Sequence, residues 1–170
     1  MTALPRPHMR ETRRTAGRAQ QNPVADPYQT RAKLSAPTVC RQCTAIYQHG
    51  RWHWNSRPED AAEALCPACQ RIRDKLPAGI VTIHGAMPAQ RREEIVNLAR
   101  HQEAAEIKDH PLNRIMAIDE TSDGGLTITT TDIHLPHRIG EAVAHAFHGT
   151  VDIDFDEDGY FVRVDWRPNK

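Results

Sequence analysis

Alternation of apolar and polar residues is sharpest near the C-terminal end of the chain. Val151, Ile153 and Phe155 take every second position, and Val162, Val164 and Trp166 do so again after an Asp156-Glu157-Asp158-Gly159 turn signal. A period of two puts each set on one side of an extended strand, so 151–155 and 160–166 read as an antiparallel hairpin. A second hairpin reads at 115–119 and 126–130, joined by Ser122-Asp123-Gly124-Gly125. Between the hairpins the period lengthens. Ile133, Pro136, Gly140, Val143 and Phe147 recur at helical spacing, with Asp132 placed to cap that helix and Gly149 to end it. Residues 111–170 therefore predict a ββαββ unit, a four-stranded and mostly antiparallel sheet with one helix across a face.

Upstream the pattern weakens. Ile80 to His84 is a short apolar strand ended by Gly85. Pro88 suits a helix start, and that helix runs to about Lys108 before Pro111. Its stripe of Ile95, Leu98, Ala99, Gln102 and Ala105 is thin, so 86–110 reads as a connecting helix. Thr44–Tyr47 and Arg51–Trp54 read as short strands around His49-Gly50. Ser56 and Glu59 have capping-box spacing for a short helix from about Pro58 to Leu65, and a further helix reads from Gln70 to Lys75. Residues 1–35 carry Pro5, Pro7, Pro23 and Pro27 and few large apolar side chains, which predicts a disordered arm.

Cysteine spacing changes the picture most. All four cysteines lie in two Cys-x-x-Cys pairs, Cys40/Cys43 and Cys66/Cys69, separated by twenty-two residues. Two such pairs suit a four-thiolate zinc site, with Zn–S distances of about 2.3 Å in a tetrahedron. A closed four-sulfur set leaves no open coordination position, so the expected Zn²⁺ is a single structural ion. A thiol redox pair needs only one Cys-x-x-Cys and is the lesser reading. With a hairpin between the pairs and a helix after the second, 36–85 reads as a treble-clef or zinc-ribbon module. The fold class expected is α+β: this module, the connecting helix 86–110 and the ββαββ domain 111–170.

Charge is zero overall but uneven. Residues 1–35 are net +5, with Arg6, Arg10, Arg13, Arg14 and Arg18 prominent, whereas 111–170 are net −6. A basic arm points to a polyanion partner, and an acidic end argues against a whole surface wrapping nucleic acid. No apolar run reaches the length of a membrane span and no apolar leader is evident, so a cytoplasmic protein is expected, in keeping with reduced thiols.

Three residue sets could carry chemistry. Arg51, Trp52 and Trp54 on the cysteine-flanked hairpin, with Arg71 and Arg73 after the second pair, interleave rings with cations, as single-stranded RNA recognition requires. If 51–54 is a strand, Trp52 and Trp54 share a face, and at least one of them is expected beneath the metal site. His134, His137, Glu141, His145 and His148 form a stripe on the 132–148 helix. It reads as a solvated face, a pH-sensitive or phosphate-binding face, or a second metal site that needs ligands from elsewhere, because three ligands on one straight helix span about 12 Å. Asp154, Asp156, Asp158, Gly159 and Asp165 fit a calcium-loop pattern, but β-alternating flanks favour an Asp-Gly hairpin instead. Phosphate-loop, dinucleotide and nucleophile-elbow motifs are missing from the sequence, and no small-molecule substrate is indicated.

The segments Val39-Cys-Arg-Gln-Cys43, Arg51-Trp52-His53-Trp54, Leu65-Cys-Pro-Ala-Cys-Gln-Arg-Ile-Arg73, Thr129-Thr-Thr-Asp-Ile-His-Leu135 and Arg138-Ile-Gly140 together resemble a small bacterial family. Its members are labelled "NMD protein affecting ribosome stability and mRNA decay". The resemblance covers about residues 26–168. Through that label it extends distantly to the zinc-binding N-terminal part of the archaeal and eukaryotic large-subunit export adaptors, which carry more cysteine pairs. It implies a zinc ribbon joined to a small α/β domain, with Cys40, Cys43, Cys66 and Cys69 as ligands. The expected function is a non-enzymatic zinc protein that associates with RNA or the ribosome, affecting ribosome stability or mRNA decay. The alternative is a zinc-stapled protein–protein adaptor in translation or stress control.

Overall fold

A computed structural model describes residues 26–28 and 34–169. Most of the arm expected at 1–35, including its five prominent arginines, lies outside the described residues. The described residues form three helices and two mixed sheets.

The smaller sheet contains β1 (Thr38–Cys40), β2 (Ile46–Gln48), β3 (Arg51–His53) and β4 (Ala62–Ala64), in the order β3-β2-β1-β4. His49 and Gly50 join β2 to β3 with φ of 53° and 80°. A two-residue turn with both φ positive matches the natural twist of a hairpin. The helix expected at 58–65 is not there: residues 62–64 are a strand, parallel to β1, with Thr38, Val39 and Cys40 opposite Ala62, Glu63 and Ala64. Ala-Ala-Glu-Ala-Leu favours helix locally, but tertiary pairing overrides a preference worth only tenths of a kcal/mol per residue. Pairing with β1 carries the chain directly to Cys66 beside Cys40. Helix α1 (Pro67–Asp74) follows, starting three residues earlier than expected, with Pro67 in its first turn.

The larger sheet holds five strands, not four. They are β5 (Gly79–Ile83), β6 (Ile115–Glu120), β7 (Leu126–Thr130), β8 (Gly149–Phe155) and β9 (Val162–Pro168), in the order β6-β7-β5-β9-β8. β5, grouped by its sequence position with the cysteine segment, is the central strand. It runs antiparallel to β7 and parallel to β9. Two helices cover one face: α2 (Ala89–Glu106) and α3 (His134–Phe147). Val81, Ile83, Leu126, Ile128, Val162, Val164 and Trp166 point into the interior, against Leu135, Ile139 and Val143 of α3 and Ile95 and Ala99 of α2. Each fully buried Val, Leu or Ile contributes about 1.5–3 kcal/mol. α2 is therefore built into this core and is not a connector. Its stripe looks thin because α2 buries only Ile95, Ala99 and Glu106. On α3 the buried face is Leu135, Pro136, Ile139, Gly140 and Val143, turned from the face read in the sequence.

The opposite face of the large sheet is polar. Thr82, Thr127, Thr129, Arg163 and Asp165 alternate with the core residues, and His84 Nε2 meets Asp165 Oδ1 at 2.5 Å.

α3 packs closely on the sheet at Gly140, where a Cβ would stand 2.5 Å from Val164 Cγ1. Glycine to alanine inside a helix normally gains up to about 1 kcal/mol, but overpacking a filled core costs about 1–3 kcal/mol. Gly140→Ala is expected to lower the stability measured by urea unfolding by about 1–2 kcal/mol; an unchanged or raised midpoint would show that α3 can lift off the sheet freely.

Candidate metal centre

The four cysteines converge because each pair is held by backbone geometry. In the first pair, Cys40 N–H donates to Ala45 O at 2.8 Å and Thr44 N–H to Cys40 O at 2.9 Å, with Thr44 at a φ of 66°. That tight turn folds Cys43 back over Cys40. In the second, Cys66 caps α1: its Sγ accepts from Cys69 N–H at 3.4 Å, while Cys66 N–H donates to Cys40 Sγ at 3.3 Å. The four sulfurs lie within 4.8 Å of one another, with Cys43 and Cys66 Sγ 3.7 Å apart. None is in a disulfide. The set can hold a metal ion, and among the described residues it is the one such group of His, Cys, Asp or Glu.

As thiols these groups share protons unequally. A hydrogen bond from Cys66 holds Cys43 down to about 4, helped by Ala45 N–H and Arg114. The same bond, with burial, pushes Cys66 up, and burial takes Cys69 to about 11. A bound cation resolves the conflict by favouring the thiolate at every position.

Arg114 is the residue that sequence reasoning missed. It lies just before β6, and its Nη1 donates to Cys69 Sγ at 3.4 Å. Pro111 O anchors its Nε at 2.7 Å, Thr131 Oγ1 accepts from its backbone N–H at 3.0 Å, and Trp54 faces the guanidinium at 6.0 Å. Burial would lower its pKa, but hydrogen bonding and charge from Cys43, Cys66 and Cys69 outweigh that and raise it. A permanent cation thus stands against the sulfurs, where it would offset negative charge on cysteine thiolates holding a metal ion. Forty-five residues separate Arg114 from Cys69, and no local motif signals the contact.

The residues singled out for nucleic-acid contact are not equivalent. Trp52 is buried in the metal module with Cys40, Cys66 and Cys69, its ring 5.5 Å from Tyr47. Arg71 is only 6% exposed. Its Nη2 pairs with Asp26 Oδ1 at 2.7 Å, its Nη1 donates to Leu76 O, and its guanidinium lies 4.4 Å from the Tyr28 ring. Both are structural. Arg73 is exposed but paired with Asp74 at 2.6 Å. Trp54 is 38% exposed and donates through Nε1 to Ile107 O. Arg51 is exposed at the free edge of β3.

The histidine stripe divides. His134, His137 and Glu141 line a broad groove of about 780 Å³ beside Glu106, His110 and Arg138, whereas His145 and His148 do not line it. The buried Glu106 carboxylate accepts from Asn113 Nδ2 at 3.0 Å and Arg138 Nε at 2.8 Å. Asp132 caps α3 as expected, its Oδ2 accepting from His134 and Leu135 N–H, and burial raises its pKa. The calcium-like Asp156 is committed to the β8–β9 turn, where its Oδ1 accepts from Tyr160 and Phe161 N–H.

The fold and site define a mixed α/β protein with a four-cysteine cluster. Scans against protein-family models, curated proteins and solved structures each found no match. Among the described residues, no helix is long and apolar enough to cross a membrane.

Loss of a hydrogen-bond partner that orients metal ligands typically costs 10–100-fold in affinity. Arg114→Ala is expected to weaken metal binding by about that factor in a chelator competition, with one ion per chain still bound at saturating metal. Equal affinities for the two proteins would rule out an electrostatic role for Arg114.

Proposed function

We propose that Cys40, Cys43, Cys66 and Cys69 bind one structural Zn²⁺ in a treble-clef-like module. Four sulfurs at about 2.3 Å in a tetrahedron stand about 3.8 Å apart, close to the Cys43–Cys66 separation of 3.7 Å. The second pair opening a helix and the hairpin between the pairs support the treble-clef comparison. A closed four-thiolate set supplies no reactive position, so the metal fixes structure and the protein acts by binding rather than by catalysis.

The binding partner we propose is RNA, free or in the ribosome, with a cytoplasmic location. One observation carries this reading: a groove of about 460 Å³ on the metal hairpin, lined by His49, Arg51, Trp52 and His53, with Asp109 and His110 contributed by the segment after α2. Cationic and imidazole groups at an open strand edge suit phosphates and unpaired bases. The basic arm adjacent in sequence and the resemblance to the family labelled for ribosome stability and mRNA decay point the same way. The outward face of the large sheet is a poorer platform, because its positions are threonines, charges and the aliphatic Ile80 and Ala117, where base stacking needs aromatic rings. The adaptor reading is favoured by Phe155, which is 51% exposed beside the groove on α3 in the acidic half of the chain.

Titration of a labelled single-stranded RNA is expected to show affinity falling linearly with salt on logarithmic axes. Arg51→Ala should weaken binding and make the slope shallower by about 0.7, one phosphate contact. Arg71→Ala should instead lower thermal stability, because it leaves Asp26 unpaired. Salt-independent association, or a protein partner retained after nuclease treatment with no RNA binding, would favour the adaptor.

A further inference from the structure

The histidine stripe and the metal hairpin are parts of one surface. His110, in the connection from α2 to β6, lines both grooves: it faces His49 and His53 in one and His134 and His137 in the other. Five of the ten histidines thus form a track from the hairpin to the start of α3. Their ring nitrogens do not gather as a metal site requires; among the described residues only the cysteines do.

Fixed charges facing the track nearly cancel. Arg51 stands on the hairpin and Arg138 on α3, against Asp109 after α2, Glu106 within it and Glu141 on α3. Glu106 is held by Arg138 and Asn113, and Glu141 Oε2 lies 3.5 Å from His137 Nδ1. Asp132, behind His134, is committed to two backbone amides of α3. Two arginines against the three groove carboxylates leave a net −1 when the imidazoles are neutral, and +4 when all five are protonated. Protonation of the imidazoles therefore reverses the sign of this surface.

We propose that this track is a pH-gated contact surface for the phosphates of single-stranded RNA, closed while the imidazoles are neutral and open once they are charged. The proposal rests on the RNA reading above and adds its regulation. Two adjoining grooves suit an extended, flexible polyanion. Imidazolium rings both donate to phosphate oxygens and stack on bases, which favours RNA over an acidic peptide. The sign is fixed by linkage: RNA binds the protonated form better, so affinity rises as pH falls through the histidine range.

The test is the affinity of the full chain, with its metal bound, for a labelled oligouridine of about 20 nucleotides at constant ionic strength. Between about pH 7.5 and 5.5 the affinity should rise at least about tenfold, and the salt slope should steepen by up to about 3.5, five further contacts at about 0.7 each. His110→Gln, His134→Gln and His137→Gln combined should remove most of that gain without changing metal content or thermal stability at pH 7.5. His145→Gln with His148→Gln should leave it intact. RNA binding that is independent of pH, or a full gain in the triple variant, overturns the track and leaves the RNA reading standing. No RNA binding at any pH overturns both. Equal competition by polyglutamate of matched charge overturns the assignment to RNA.

Discussion

Four sulfurs within 4.8 Å impose a distance constraint on segments far apart in sequence, and much of the architecture answers to it. Cys40 ends β1 and Cys66 follows β4, so the two strands lie side by side and parallel. The chain between them must turn back, and the β2–β3 hairpin occupies that excursion. Like charge would drive four thiolates apart; the neighbouring Arg114 opposes that repulsion, as would a metal ion held by the set. Because Arg114 leads into β6 while Cys69 sits in α1, the same electrostatic balance ties the small sheet to the large one.

The larger unit depends on apolar packing and has a different weakness. Its core lies on one face of the sheet, under two helices, and the polar groups within that core are few. Glu106 shows what the exception requires: a buried carboxylate persists because Asn113 and Arg138 both satisfy it. That network also shapes one wall of the groove beside α3. Packing and surface chemistry are thus coupled at one residue.

Local pattern revealed what local physics decides. Both hairpins of the large sheet, the capping role of Asp132 and the four-cysteine set were legible, since alternation, turn residues and ligand spacing act over a few positions. The strand at 62–64 was not legible, because helix propensity there is overridden by pairing with β1, a partner distant in sequence. The same limit hid the place of β5, an apolar stretch whose neighbours in the sheet are β7 and β9. Arg71 looked like a surface cation, but its partner Asp26 lies forty-five residues earlier. The histidine stripe was visible as a helical repeat. Its division into groove and solvent was not, because His110 reaches the groove from a different element.

The parallel pairing of β5 with β9 has a temporal side. Residues 79–83 have one vacant edge until residues 162–168 have been made, some eighty positions later, and only then is the central strand flanked on both sides. The strands of the cysteine module, spanning 38–74, pair only with one another, while Arg71, Trp54 and Cys69 reach Asp26, Ile107 and Arg114 outside it. Vectorial synthesis therefore delivers all four cysteines before Arg114, and Arg114 before the last strand of the sheet it leads into.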